Sequence, residues 1–127
     1  MKKIALLTLV LAPFASVGLA APAPRAEVGY PIGSLALSAI ERGDWATAER
    51  LLTQDSRIAN DDPARLVNLG RVYMATGRTG EAMAAWHQAA AAAPVEVETA
   101  GGRVVTTDEL AREAIAYYQS RPQTAAR

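Results

Sequence analysis

Residues able to do chemistry are few in this chain. His87 is the only histidine and there is no cysteine, so a zinc-type site has no ligand set and any metal would rest on carboxylates alone. No carboxylates cluster at ligand spacing. Asp61-Asp62 is a pair, but an aspartate directly before Pro63 reads as a helix cap. Glu96 and Glu98 share a face if their segment is a strand, and a solvated strand edge explains them better than acid–base work. Ser34, Ser38 and Ser56 coexist with His87 and several aspartates, yet none stands on a nucleophile turn. His87, beside Trp86, reads as a surface or half-buried structural histidine.

The stretch "NLGRVYMATGRTGEAMAAW", Asn68 to Trp86, poses the one question about phosphate. A phosphate-cradling loop needs Gly, four residues, Gly, Lys and Ser or Thr, set between a strand and a helix. Here six residues separate Gly70 from Gly77, Arg78 stands where the lysine belongs, and the preceding segment is helical in pattern. Gly70 inside that helix costs about 1 kcal/mol relative to alanine, and close packing on a neighbouring helix is the economical reason to keep it. The stretch is a helical hairpin. No cofactor and no catalytic set is expected, and the chain is not expected to be an enzyme.

The aromatic residues Trp45, Tyr73, Trp86, Tyr117 and Tyr118 serve first as packing material. Tyr117 and Tyr118 are neighbours and point about 100° apart on a helix, so one of them faces solvent or a partner. Trp45 lies at a turn and is expected to be partly exposed.

Upstream elements carry a different message. Lys2 and Lys3, an apolar run from Ile4 to Leu11, Pro13 and the small residues Gly18-Leu19-Ala20 form a secretory signal pattern over residues 1–20, cut after Ala20. An uncleaved anchor is the alternative, but Ile4 to Leu19 is short of the roughly 20 residues a spanning helix needs. From residue 21 onwards the chain carries eleven arginines and no lysine against thirteen acidic residues, a net charge of −2. That balance gives no drive towards nucleic acid or anionic lipid, so neither nucleic acid nor, in the mature form, membrane is an expected partner. Residues 21–29 are a proline-spaced, extended linker.

Two repeats occupy residues 30–94. A shift of 34 residues lays Leu35 on Leu69, Ala36 on Gly70, Ile40 on Met74, Gly43 on Gly77, Ala48 on Ala82 and Leu52 on Trp86. Each unit reads as two helices. In the second, Asp62 caps and Pro63 opens a helix whose stripe is Leu66, Leu69, Tyr73 and Met74. Gly77 ends it, Thr79 caps the next, and Ala82, Met83, Trp86, Ala89 and Ala90 share a face before Pro94. In the first, Leu35, Ala36, Ala39 and Ile40 form the stripe and Gly43 ends the helix. Asp44 then caps a helix with Trp45, Ala48, Leu51 and Leu52.

These positions resemble the tetratricopeptide repeat family. Leu66, Leu69-Gly70, Tyr73, Ala82, Trp86, Ala89 and Pro94 stand in register with its pattern. The first unit is degenerate, with Ala39 for the tyrosine and Asp55 and Asn60 at the last two positions. The resemblance implies an interaction surface on the first helix of each repeat. Its lining would be Gly33, Leu37, Ile40 and Glu41, then Ala64, Val67, Asn68, Arg71 and Met74. Leu37, Ile40, Glu41, Val67, Asn68, Arg71 and Met74 are the expected partner-binding residues. A clamp for a peptide's terminal carboxylate is not implied, because there is no lysine and Val67 stands where a basic residue would be wanted.

Two repeats are too few for a stable stack without cover. Residues 95–106 alternate like a short β-hairpin around Gly101-Gly102, with an irregular loop as the alternative. Thr106 and Glu109 form a capping box, with Val105 and Leu110 as its staple. It opens a capping helix over residues 107–120, and residues 121–127 read as a frayed tail. The expected fold is mainly α: two tetratricopeptide-type helical hairpins, a short β-hairpin and a C-terminal capping helix.

The function expected of an exported bacterial chain so built is a non-catalytic interaction or scaffold module of the cell envelope. It would sit in the periplasm, with release outside the cell as the alternative, and hold an unknown protein or peptide. A self-assembling homo-oligomeric subunit is the second reading. A small-ligand carrier or enzyme using the hairpin is the third.

Overall fold

Two turns of the same construction set the architecture. At Gly43 (φ 69°) and Gly77 (φ 80°) the backbone enters the left-handed region that glycine reaches without a Cβ clash. Gly43 N–H donates to Ile40 O at 3.0 Å and Asp44 N–H to Ala39 O at 2.9 Å; Gly77 N–H donates to Met74 O at 3.2 Å and Arg78 N–H to Tyr73 O at 2.8 Å. These are paired Schellman closures, one repeat apart, and each satisfies carbonyls that the preceding helix leaves open.

The computed structural model describes residues 29–99 and 101–121. Its elements are α1 (Leu37–Glu41), α2 (Trp45–Gln54), α3 (Pro63–Ala75), α4 (Thr79–Ala91), β1 (Glu96–Glu98), β2 (Val104–Thr106) and α5 (Thr107–Gln119). The expected signal peptide, the linker as far as residue 28 and the tail from residue 122 lie outside the described residues. No helix among the described residues is long and apolar enough to cross a membrane. Over the described residues the protein is mainly α, consistent with tetratricopeptide-type helical repeats, with one small antiparallel sheet.

Local capping explains where α2 and α3 begin. Asp44 Oδ1 accepts from Thr47 N–H at 3.2 Å, and Asp62 Oδ1 accepts from Ala64 N–H at 2.9 Å and Arg65 N–H at 3.0 Å. Asp62 also receives the Tyr30 hydroxyl, at 3.1 and 3.2 Å to its two oxygens. Two expected helix starts are corrected. The first helix does not include Leu35 and Ala36. Turns at Pro31–Ser34 and Gly33–Ala36 occupy that segment, and Ala36 sits at φ 57° ahead of the five-residue α1. Leu35 therefore leaves the stripe and packs with Ile58 and Ala64. Nor does Thr79 cap α4: it is the first helical residue, and Arg78 holds the cap position with no side-chain capping bond. The turn closed at Gly77 uses only Arg78 before helical geometry resumes.

α3 is the central element, and every residue from Pro63 to Gly70 is buried. One side of it, through Leu69 and Val72, packs on Ala39, Ile40, Ala48 and Leu52. Its other side, through Leu66 and Val67, packs on Ala82, Ala85, Trp86, Ala89 and Ala111. Burying a residue such as Leu52 contributes about 1.5–3 kcal/mol. Gly70 is required by contact: a Cβ there would overlap Nε1 and Cδ1 of the Trp86 indole. The indole crosses the helix at that point and donates from Nε1 to Val67 O at 3.1 Å.

β1 and β2 pair antiparallel with Val97 opposite Val105. So short a hairpin needs support, and Val97 finds it on the Leu35–Ile58–Ala64 cluster. Thr107 N–H donates to Val95 O at 2.9 Å, which welds the hairpin to the start of α5. The expected capping box opens α5, with Thr106 N–H donating to Glu109 Oε2 at 3.1 Å.

Candidate partner-binding groove

Of the residues expected to line the first-helix surface, Val67, Arg71 and Met74 recur at i, i+4 and i+7 of α3 and so share a face. Arg71 is exposed and Met74 half-buried. Val67 is mostly covered but still lines the base of a groove. In α1, Glu41 is exposed and Leu37 half-buried. The other two look inward. Ile40 is in the core with Leu52 and Val72, and Asn68 is buried with its Nδ2 donating to Leu35 O at 2.9 Å. That bond ties the irregular entry of the first repeat to α3, so Ile40 and Asn68 hold the units together rather than line a surface. Gly33 sits in the entry turn and Ala64 is buried.

The groove runs between α3 and α5, open to solvent, with a volume of about 410 Å³. Its floor is apolar, made by Val67, Leu110 and Ala114 with the edges of Trp86 and Tyr118. Tyr118 stacks on Trp86 with ring centroids 5.4 Å apart and planes 17° from parallel. Tyr117 meets Tyr118 edge-on at 4.9 Å and is 50% exposed. The adjacent tyrosines thus divide as their helical angle requires, one into the core and one onto the rim. The Arg121 guanidinium lies 4.3 Å over the Tyr117 ring.

Charge on the rim is unevenly satisfied. Glu113 is bound by Arg103 of the hairpin, with Nη2 3.1 Å from Oε2 and Nη1 3.5 Å from Oε1. Arg71 makes no ion pair with the described residues.

Two arginines that carry no signal in the sequence hold the frame. Arg65, only 1% exposed, donates from Nη1 to Ile58 O at 3.0 Å and Asn60 Oδ1 at 2.9 Å, and from Nη2 to Asp55 O. It ties the α2–α3 connection to the first turn of α3. Asp55 binds Arg57 instead, and those hydrogen bonds hold its carboxyl down to about 2. Arg78 reaches from the α3–α4 turn to Glu49 of α2 in a bidentate pair, at 2.8 and 2.5 Å, and covers the Tyr73 ring at 4.5 Å. Its hydrogen bonds pull the Glu49 carboxyl below the usual range. The Arg78–Glu49 pair joins residues 29 positions apart, and Arg65 folds back through the irregular α2–α3 connection to residues five to ten positions before it, so neither contact can be read from helical spacing. Glu113 was likewise silent in the sequence. Leu110, Ala114, Ile115, Tyr117 and Tyr118 read as a stripe able to pack on the helix containing Trp86, and that stripe together with the angular argument at Tyr117 and Tyr118 pointed towards this face of α5.

His87, Glu96 and Glu98 are exposed, and no group of carboxylate or histidine side chains among the described residues is arranged to hold a metal ion. Searches among curated proteins and solved structures give no match. The family model described as tetratricopeptide repeat matches residues 39–100. The match covers α2, α3, α4 and β1 entire, with most of α1. It agrees with the paired Schellman turns and the Gly70–Trp86 crossing: residues 39–100 of this chain are similar to the tetratricopeptide repeat family.

Proposed function

We propose that this chain is a non-catalytic interaction or scaffold module of the bacterial cell envelope, and that it holds a peptide or partner helix in the α3–α5 groove. A repeat segment of this family supports an interaction role in general. The observation that carries the specific reading is the groove itself. An apolar floor is flanked by an exposed Arg71 without an ion pair among the described residues and a half-exposed Tyr117, all on packed helices. Apolar floors with a few polar anchors suit side-chain capture, and rigid helices limit the ordering cost of binding. The signal-like leader at residues 1–20 supports placement in the envelope.

The self-assembly reading, in which further copies extend the stack, fits less well. α5 turns Glu109, Arg112 and Gln119 outward, all exposed, which is the polar outer face of a terminal element.

The test is a photo-crosslinking residue placed at Ala114, in the groove, and in a second protein at Gln88, on the exposed side of α4. A discrete adduct from Ala114 alone supports the groove, and its partner should then lose most of its affinity for Arg71→Ala combined with Met74→Ala. Adducts from Gln88 and none from Ala114 would remove the groove as the site.

A further inference from the structure

Resting on the groove as the binding site, we infer that its occupant is an apolar segment carrying side-chain carboxylates, and that the β-hairpin sets this preference through Arg103. The groove's lining brings two formal charges, Arg71 from α3 and Glu113 from α5. With both free, the site would be neutral and indifferent to the sign of its ligand. Arg103 removes that symmetry. It lies outside the lining, one residue before β2, and holds both carboxylate oxygens of Glu113. Each partner is 58% exposed, so the pair adds little to stability, but its charges cancel at the rim.

What remains is Arg71, exposed and without an ion pair among the described residues, and Arg121 over the exposed ring of Tyr117. The field over the apolar floor is therefore positive, although the chain after the leader has more acidic than basic residues. Such a rim charge selects partners mainly by attraction of one sign and repulsion of the other. The apolar floor takes aliphatic or aromatic side chains, and a carboxylate beside them meets Arg71. The hairpin thus carries a specificity role beyond covering the Leu35–Ile58–Ala64 cluster.

The experiment uses the purified chain and three fluorescent ten-residue peptides with the same leucines and phenylalanines. The intervening positions hold glutamate, glutamine or lysine, and binding is read by anisotropy at low and high salt. The glutamate peptide is expected to bind roughly tenfold more tightly than the lysine peptide at low salt, with the gap shrinking as salt rises. Arg71→Gln should bring the glutamate and glutamine peptides within about twofold of each other. Arg103→Gln, outside the lining, should weaken the glutamate peptide in the same direction, and adding Glu113→Gln should restore it. That restoration separates charge control from structural damage, and circular dichroism confirms that each variant is folded.

Equal binding of all three peptides would overturn the charge assignment and leave the groove as a peptide site. Preference for the lysine peptide would show that Glu113 governs the rim and would also overturn it. An Arg103→Gln protein that binds like the parent would remove the hairpin's part. Binding of none of the three would remove the peptide groove as well as its charge preference.

Discussion

In the second repeat Trp86 lies across Gly70, whereas the aligned positions of the first repeat hold Leu52 and Ala36. A large indole at the helix crossing leaves no room for a methyl group. A leucine makes no such demand. The turns differ in the same instructive way. Asp44 caps its own helix through Thr47, while the aligned Arg78 caps nothing and reaches across to Glu49 of the first repeat. The first repeat is thus closed by local contacts at its turn, and the second is fastened to it. A degenerate repeat with a five-residue first helix can persist because the complete repeat holds it.

The largest test of this comparison is an exchange at the crossing. Gly70→Ala gains helix propensity of about 1 kcal/mol but drives a methyl into the indole, and we expect a net loss of about 2 kcal/mol or more. For a domain of this size that lowers Tm by roughly 10 °C. Ala36→Gly, the mirror change in the first repeat, relieves a left-handed alanine while losing one buried methyl. These effects oppose each other, and stability should stay within about 1 kcal/mol of the parent. Thermal melts of the two variants decide the matter. Similar losses in both would mean that the two crossings are equivalent.

A smaller effect is expected at the clasp. Glu49 is more acidic in the folded protein than its ordinary value of 4.5. Its pair therefore stabilises the fold above that pH and loses its contribution as pH falls through the depressed folded value. Glu49→Gln should melt below the parent at pH 7, and the two curves should converge in acid. A gap that persists unchanged at low pH would assign the loss to packing instead of charge.

The smallest expected effect lies at the entry to the first repeat. Burial, and then the neighbouring Asp62 carboxylate, push the Tyr30 phenol from 10.0 up to about 12. The folded state holds this proton longer, so its contribution is complete below pH 10.0 and is lost as pH rises towards about 12. Subtracting the melts of Tyr30→Phe from those of the parent across this range isolates one tyrosine from the others. A flat difference would mean that the Tyr30–Asp62 contact does not anchor the entry segment.

Much of the fold was legible because its signals are local. Asp62-Pro63, Gly43-Asp44 and Thr106 with Glu109 act on backbone groups within a few residues, and the structure shows each at work. Gly70 was legible by a different route, since glycine within a helix needs a neighbour to justify it. The late start of α1 was not legible. An apolar stripe at Leu35 and Ala36 looks helical until the turns at Pro31 and Gly33 claim the same residues. The groove was half legible. The family resemblance placed Val67, Arg71 and Met74 on one surface, but it could not show that Ile40 and Asn68 turn inward. Nor could it show that α5 supplies the opposite wall.

By itself, then, the sequence determined the elements whose causes lie within a few residues along the chain: caps, glycine turns, hairpin alternation and the repeat period. Backbone hydrogen bonds and side-chain sterics act at short range, so residue type and spacing are enough to read them. The tertiary structure alone decided which faces are buried, which arginines are occupied and where an open groove lies. Arg65, Arg78 and Arg103 are the same residue type, yet one is sealed inside, one joins the repeats and one neutralises a groove carboxylate. Their roles depend on groups brought near by packing, and packing is a property of the whole chain.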